Sequence, residues 1–177
     1  NNGHMERWGT KVEELMEVSF KNTPLLYPDM ITNMADVMKE ILSEGIRQDI
    51  EDARLGDNRE LFDESWIDDL IDQMSANTGK EKIPMYVLTN RKKLYGAACM
   101  LYPEVLKNFS ERLGQDFYVL PSSVHEVILV PVNSEADQES LREIVTDINR
   151  TQVAEEEILA DSVYFYSRNL NKILWLS

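Results

Sequence analysis

Val12, Leu15, Met16 and Phe20 recur at helical spacing behind a T-x-x-E start formed by Thr10 and Glu13. The pattern predicts a helix from Thr10 to about Asn22, because Pro24 disfavours helical backbone in the residue before it. After Pro28 and Asp29, the residues Met30, Met34, Val37, Met38 and Ile41 share one helical face, and Gly45 stands where a glycine ends a helix. A second helix is predicted there. Its methionine stripe reads as core packing, with a Met-rich partner groove as the alternative. Residues 46–82 turn strongly acidic and polar. Within them Trp66, Ile67, Leu70, Ile71 and Met74 mark one amphipathic helix capped by Ser65. We expect an acidic helical arm or insertion over 46–82, either simply solvated or an interaction surface.

From residue 84 the period shortens. MYVLTN after Pro84 reads as a strand, NRKKLYG as a polar link, and YGAACMLY as its hairpin partner, weakened by alanine and methionine. Pro103 suits a first helical turn; Val105, Leu106, Phe109 and Leu113 form the buried side, and Gly114 stops the helix. DFYVLP and VHEVILVPV read as strands. Ser134 caps a helix whose stripe is Leu141, Ile144, Val145 and Ile148, and SVYFYS with KILWLS forms a last hairpin around RNLNK. The order is ββαββαββ from residue 84. Short links between neighbouring strands demand antiparallel pairing. The expected fold class is therefore α+β: one antiparallel sheet of five to six strands with helices mainly on one face, preceded by two to three helices.

A chain of 177 residues fits a single domain, here 6–177, with the sheet core over 84–177; NNGHM at 1–5 resembles an expression-tag remnant, which sets His4 aside. The net charge of −14 opposes phosphate backbones and anionic lipid heads. No nucleic acid and no membrane partner is expected; a protein with a basic face, or a second copy of the chain, fits better. One cysteine, Cys99, excludes an internal disulfide and fits a reducing cytoplasm. No apolar run approaches the roughly 20 residues of a membrane span.

Candidate chemistry gathers in LPSSVHEVILVP. Proline followed by two serines is turn chemistry. In the extended chain that follows, Ser123 and His125 share a face with Cα atoms about 6.6 Å apart, while Glu126 points the other way. A Ser–His dyad usually draws its members from separate elements, so the simpler reading is a turn feeding a core strand. Ser122, Ser123, His125 and Glu126, with Asn90 at the turn after LTN, form the candidate polar site. No catalytic residue is assigned. Asn22, Asn149 and Thr151 have capping or turn explanations. One histidine and one cysteine far apart give no metal-ligand spacing, no EF-hand series occurs, and neither glycine-rich phosphate motif is present. No cofactor and no metal is expected.

YVLTN, YGAACML, FYVLPSSVHEVILVP and VTDINRTQVAEEEILADSVYFY together resemble an uncharacterised family of bacterial domain-of-unknown-function proteins, mostly from Gram-positive gut anaerobes. WGTKVEELMEVSFKNTPLLYP is similar to the family's segment before its C-terminal region. The likeness covers most of 8–168, with LTN and PSSVHEV its most specific blocks. It implies a C-terminal portion of a longer protein. A more distant resemblance is to a second uncharacterised bacterial family, which joins a tryptophan-led helix to a strand pair, a helix and a proline-led strand. Neither resemblance implies a catalytic residue. The expectation is a cytoplasmic, non-enzymatic protein-interaction domain. Its rivals are a hydrolase using His125 with a serine or carboxylate, and a small-ligand binder with a pocket beside 120–125.

Overall fold

The computed structural model describes residues 2–37, 39–41, 43–45, 84–121, 123–132 and 138–175. The acidic arm expected over 46–82, the Ser134 cap and Ser122 lie outside the described residues. The chain opens with helices α1 (Asn2–Trp8) and α2 (Val12–Leu26). Strand β1 (Asp29–Asn33) follows, and then a helical stretch at 34–37, 39–41 and 43–45. Next come β2 (Tyr86–Asn90), a 3-10 turn (Gly96–Leu101), α3 (Val105–Leu113), β3 (Phe117–Leu120) and β4 (Val127–Pro131). Helix α4 (Gln138–Gln152), a 3-10 turn (Glu155–Glu157), β5 (Tyr164–Ser167) and β6 (Lys172–Trp175) complete the order.

The six strands form one open antiparallel sheet in the order β1-β2-β4-β3-β5-β6. The α+β class and the strand number agree with the sequence. Alternation along the strands sorts side chains to two faces. Leu88, Phe117, Val119, Val127, Leu129 and Tyr166 meet α3 and the Gly96–Leu101 turn, while Leu120, Ile128 and Val130 meet Leu141 and Val145 of α4. Helices thus lie on both faces rather than mainly on one, because β3 and β4 are apolar on both sides and each side needs cover. Phe117 is the centre of the first cluster. Its ring stacks on Tyr166 at 4.8 Å and meets Phe109 edge-on at 5.0 Å. Removing such a fully buried ring costs ~3–5 kcal/mol.

Three local readings are corrected. The segment 30–33 is strand β1, not helix: Asp29 to Asn33 pair with Asn90 to Tyr86, and helix begins only at residue 34. Asn33 marks the junction, since its Oδ1 accepts the Ala35 N–H at 2.8 Å as an N-cap does. The segment 95–102 is not the hairpin partner of β2. It coils as the 3-10 turn, burying Gly96, Ala97 and Cys99 against the sheet face. Helix α2 starts one residue later than the sequence box, with the Glu14 carboxylate accepting from the Lys11 N–H and the Thr10 hydroxyl, and it runs through Pro24 to Leu26. A proline inside a helix strands a carbonyl only where water is excluded, and α2 has no buried residue. Val12, Leu15, Met16, Val18, Phe20, Leu25 and Leu26 are all exposed. At the far end of the sheet, β6 is an edge strand with Ile173, Leu174 and Trp175 exposed.

Candidate functional site

Asn90 ends β2 and shapes the turn after it. Its side chain is buried, with Oδ1 accepting the N–H groups of Lys92 (2.9 Å) and Leu94 (3.4 Å) and Nδ2 donating to the Leu94 carbonyl at 2.7 Å. This closes a tight loop in which Lys93 (φ 52°) and Tyr95 (φ 51°) both adopt left-handed backbone. Such a conformation costs a bulky residue like tyrosine of order 1 kcal/mol or more. The compensation comes from outside the loop: the Tyr95 N–H donates to His125 Nδ1 at 3.1 Å, and the two rings stack at 5.4 Å.

His125 leads into β4. Its own N–H donates to Ser123 Oγ at 2.9 Å, and its carbonyl accepts the Thr89 hydroxyl at 2.8 Å. Gly96 lies directly against this carbonyl; a Cβ there would sit 2.5 Å from it and 2.1 Å from Thr89 Oγ1. The far side of the ring meets the turn Glu155–Glu157, with Nε2 3.2 Å from Glu157 Oε1. That turn is tied to the same loop by Val124 N–H to the Glu157 carbonyl at 2.9 Å and by the bridge between Ser123 and Ile158.

The hydrogen bonds fix the ring's tautomer. Because Nδ1 accepts the Tyr95 amide proton, the neutral ring carries its hydrogen on Nε2 and donates it to the Glu157 carboxylate. Neither nitrogen keeps a free lone pair, so this ring is not set to take a proton from an attacking hydroxyl. Ser123 offers its oxygen to a backbone amide rather than to the imidazole. The structure brings Asn90, Ser123 and His125 together as a joint between two loops. Glu126 is half-buried beside it. Sequence reasoning missed Tyr95, Gly96 and Glu157, the three partners that complete the joint. The glycine after a bulky turn residue in Tyr95-Gly96 was the available signal.

Three other features carry polar or concave character. Asn149, read from the sequence as a cap or turn residue, lies inside α4, where its buried Nδ2 donates to the Ala160 carbonyl (3.1 Å) and Asp161 Oδ1 (2.6 Å) while Oδ1 has no partner among the described residues. A groove of about 760 Å³ opens between β1 and α3, lined by Asp29, Ile31, Val105, Asn108, Phe109 and Arg112 among others. Beneath this end of the sheet Tyr102 donates to the Tyr27 carbonyl at 3.1 Å. Burial, helped by the neighbouring Cys99 thiol and the Asp29 carboxylate, pushes its phenol up to about 12. An apolar pocket of about 290 Å³ lies elsewhere, between Met100, Val119, Pro121, Leu159, Tyr164 and Ile173. His125 and Asn90 line neither. Among the described residues no three His, Cys, Asp or Glu side chains gather as a metal site, and no helix is long and apolar enough to cross a membrane.

The architecture defines an α+β domain built on an open six-stranded antiparallel sheet. The chain belongs to DUF5688, a family of unknown function, whose model matches residues 1–168. No curated protein and no solved structure matches it.

Proposed function

We propose that this domain is a cytoplasmic, non-enzymatic protein-interaction module. The observation that carries the reading is α2: a 15-residue helix with an apolar row and no buried residue. An isolated helix of that length is marginal in water, and tertiary contact normally supplies its stability. Contiguous exposed apolar surface on a folded domain marks a place where another protein sits. The closed hydrogen bonding of the His125 ring supports a joint rather than a hydrolase, and the buried thiol of Cys99 suits a reducing compartment. The groove between β1 and α3 favours small-ligand binding as the second reading, since it combines an apolar floor with charged groups at its rim.

The test is photo-crosslinking in the native host, with a benzophenone side chain at Met16 or Leu25 of α2 and at Glu143 of α4 as the control. Discrete protein adducts from the α2 positions alone are expected. Equal labelling at all three positions, or none at α2, removes the basis of the proposal.

A further inference from the structure

The outer edge of β1 and the groove beside it share one geometry. In an antiparallel pair, directly opposed residues alternate between those that exchange backbone hydrogen bonds and those that do not. The Arg91 N–H donates to the Pro28 carbonyl at 3.1 Å, and the Met34 N–H donates to the Met85 carbonyl at 2.9 Å. Both pairs continue the register of β1 with β2, so the even positions of β1 bond inward to β2. The N–H and C=O groups of Asp29, Ile31 and Asn33 therefore face away from β2, where no described strand pairs with them. Asp29 and Ile31 also line the groove against α3. Two of the three residues that offer outward backbone bonds, Asp29 and Ile31, thus also line the concavity.

We propose that this edge is a strand-addition site for an extended, basic segment of a partner protein. The inference rests on the protein-interaction reading and names a second surface for it. The new strand runs antiparallel to β1, like every other pairing in the sheet. Its central residue places an apolar side chain over Ile31, Val105 and Phe109. The flanking residues on the same face bring lysine or arginine toward Asp29 and Glu111. Charge decides between an acidic and a basic occupant. The Arg112 guanidinium already lies over the Phe109 ring at 5.7 Å, Asp29 and Glu111 stand in no ion pair among the described residues, and the whole chain carries −14. An approaching anionic strand meets repulsion at long range, and a cationic one meets attraction. Strand addition of this kind takes affinity from main-chain bonds and selectivity from alternate side chains in an adjoining groove.

The probe is the heptapeptide acetyl-TKTVTKT-amide, which presents valine flanked by two lysines on one face. It is titrated to millimolar concentration into the full chain labelled with nitrogen-15. Backbone amide shifts confined to Asp29, Ile31, Asn33 and the first turns of α3 are expected. N-methylation of the central valine removes the amide that faces β1 and weakens binding ~10-fold or more, whereas N-methylation of an adjacent threonine leaves it unchanged. Glutamate in place of both lysines, or Asp29→Asn in the protein, weakens binding several-fold. Silent amides at Ile31 and Asn33 overturn the proposal, as does equal binding of the two N-methyl peptides. Equal binding of the glutamate peptide overturns the basic partner. If α2 still gives its crosslinks while β1 is silent, strand addition fails and the interaction reading stands; the reverse result separates them the other way.

Discussion

Gly96→Ala tests whether the joint around His125 is assembled as tightly as its contacts indicate. The φ of Gly96 lies outside the left-handed region, so alanine carries no conformational penalty there and any effect is steric. The new methyl carbon would stand 2.1 Å from Thr89 Oγ1, 2.5 Å from the His125 carbonyl oxygen and 2.7 Å from the Asn90 nitrogen. Two of the three atoms are backbone and belong to different segments, so no side-chain rotation relieves them. Overpacking of a rigid site costs ~1–3 kcal/mol. Parting the segments also stretches the Thr89–His125 hydrogen bond of 2.8 Å, worth ~1 kcal/mol. A total of ~2–4 kcal/mol follows, or a fall in Tm of ~5–15 °C for a chain of this size. Urea denaturation followed by fluorescence and by circular dichroism measures it, and coincident transitions license the two-state treatment. Thr89→Ala combined with Gly96→Ala should recover only part of the loss, because the backbone contacts persist. A cost below ~0.5 kcal/mol for the single variant would refute the close approach.

His125→Ala removes the acceptor of the Tyr95 amide and the partner of Glu157, and should cost ~1–2 kcal/mol in the same denaturation assay, with faster hydrogen exchange at Tyr95; unchanged exchange there would contradict the assigned bond. Tyr102 holds its proton up to about 12, above the value of ~10 in the unfolded chain. The native state then binds the proton more tightly, so this contribution is intact below pH ~10 and is lost as pH climbs from ~10 to ~12. Ultraviolet titration should show lagging phenols, since burial raises Tyr166 as well, and one fewer of them in Tyr102→Phe, unless the Tyr102 hydroxyl is open to water. Burial likewise pushes the Cys99 thiol up, so an aromatic disulfide reagent should modify it at the rate of unfolding rather than in a burst.

Most of the sheet was legible because its strands announce themselves. YVLTN, FYVL, VILVP, YFYS and KILW are short apolar or aromatic runs, and each appears as a strand at or near its expected place. β1 was hidden by coincidence. Met30 and Met34 stand four apart as on a helix, yet one lies in a strand and the other opens the helical stretch after it. Only the long-range pairing with β2 decides between the two periods. YGAACMLY was misread for a related reason: small residues suit a weak strand, and equally a tight turn pressed onto a sheet. At the candidate site, His125 and Asn90 were legible as residue types. Their partners were not, since Tyr95 and Glu157 lie 30 and 32 positions from His125 and meet it only after folding.

The unguarded margin at β6 links fold to colloidal behaviour. Ile173, Leu174 and Trp175 are exposed on a terminal strand whose only charge is Lys172, with neither proline nor bulge to deter another copy. Repulsion between copies that each carry a net charge of −14 opposes such pairing. Concentrated salt or acidification, by muting that repulsion, should favour pairing of copies edge upon edge at β6.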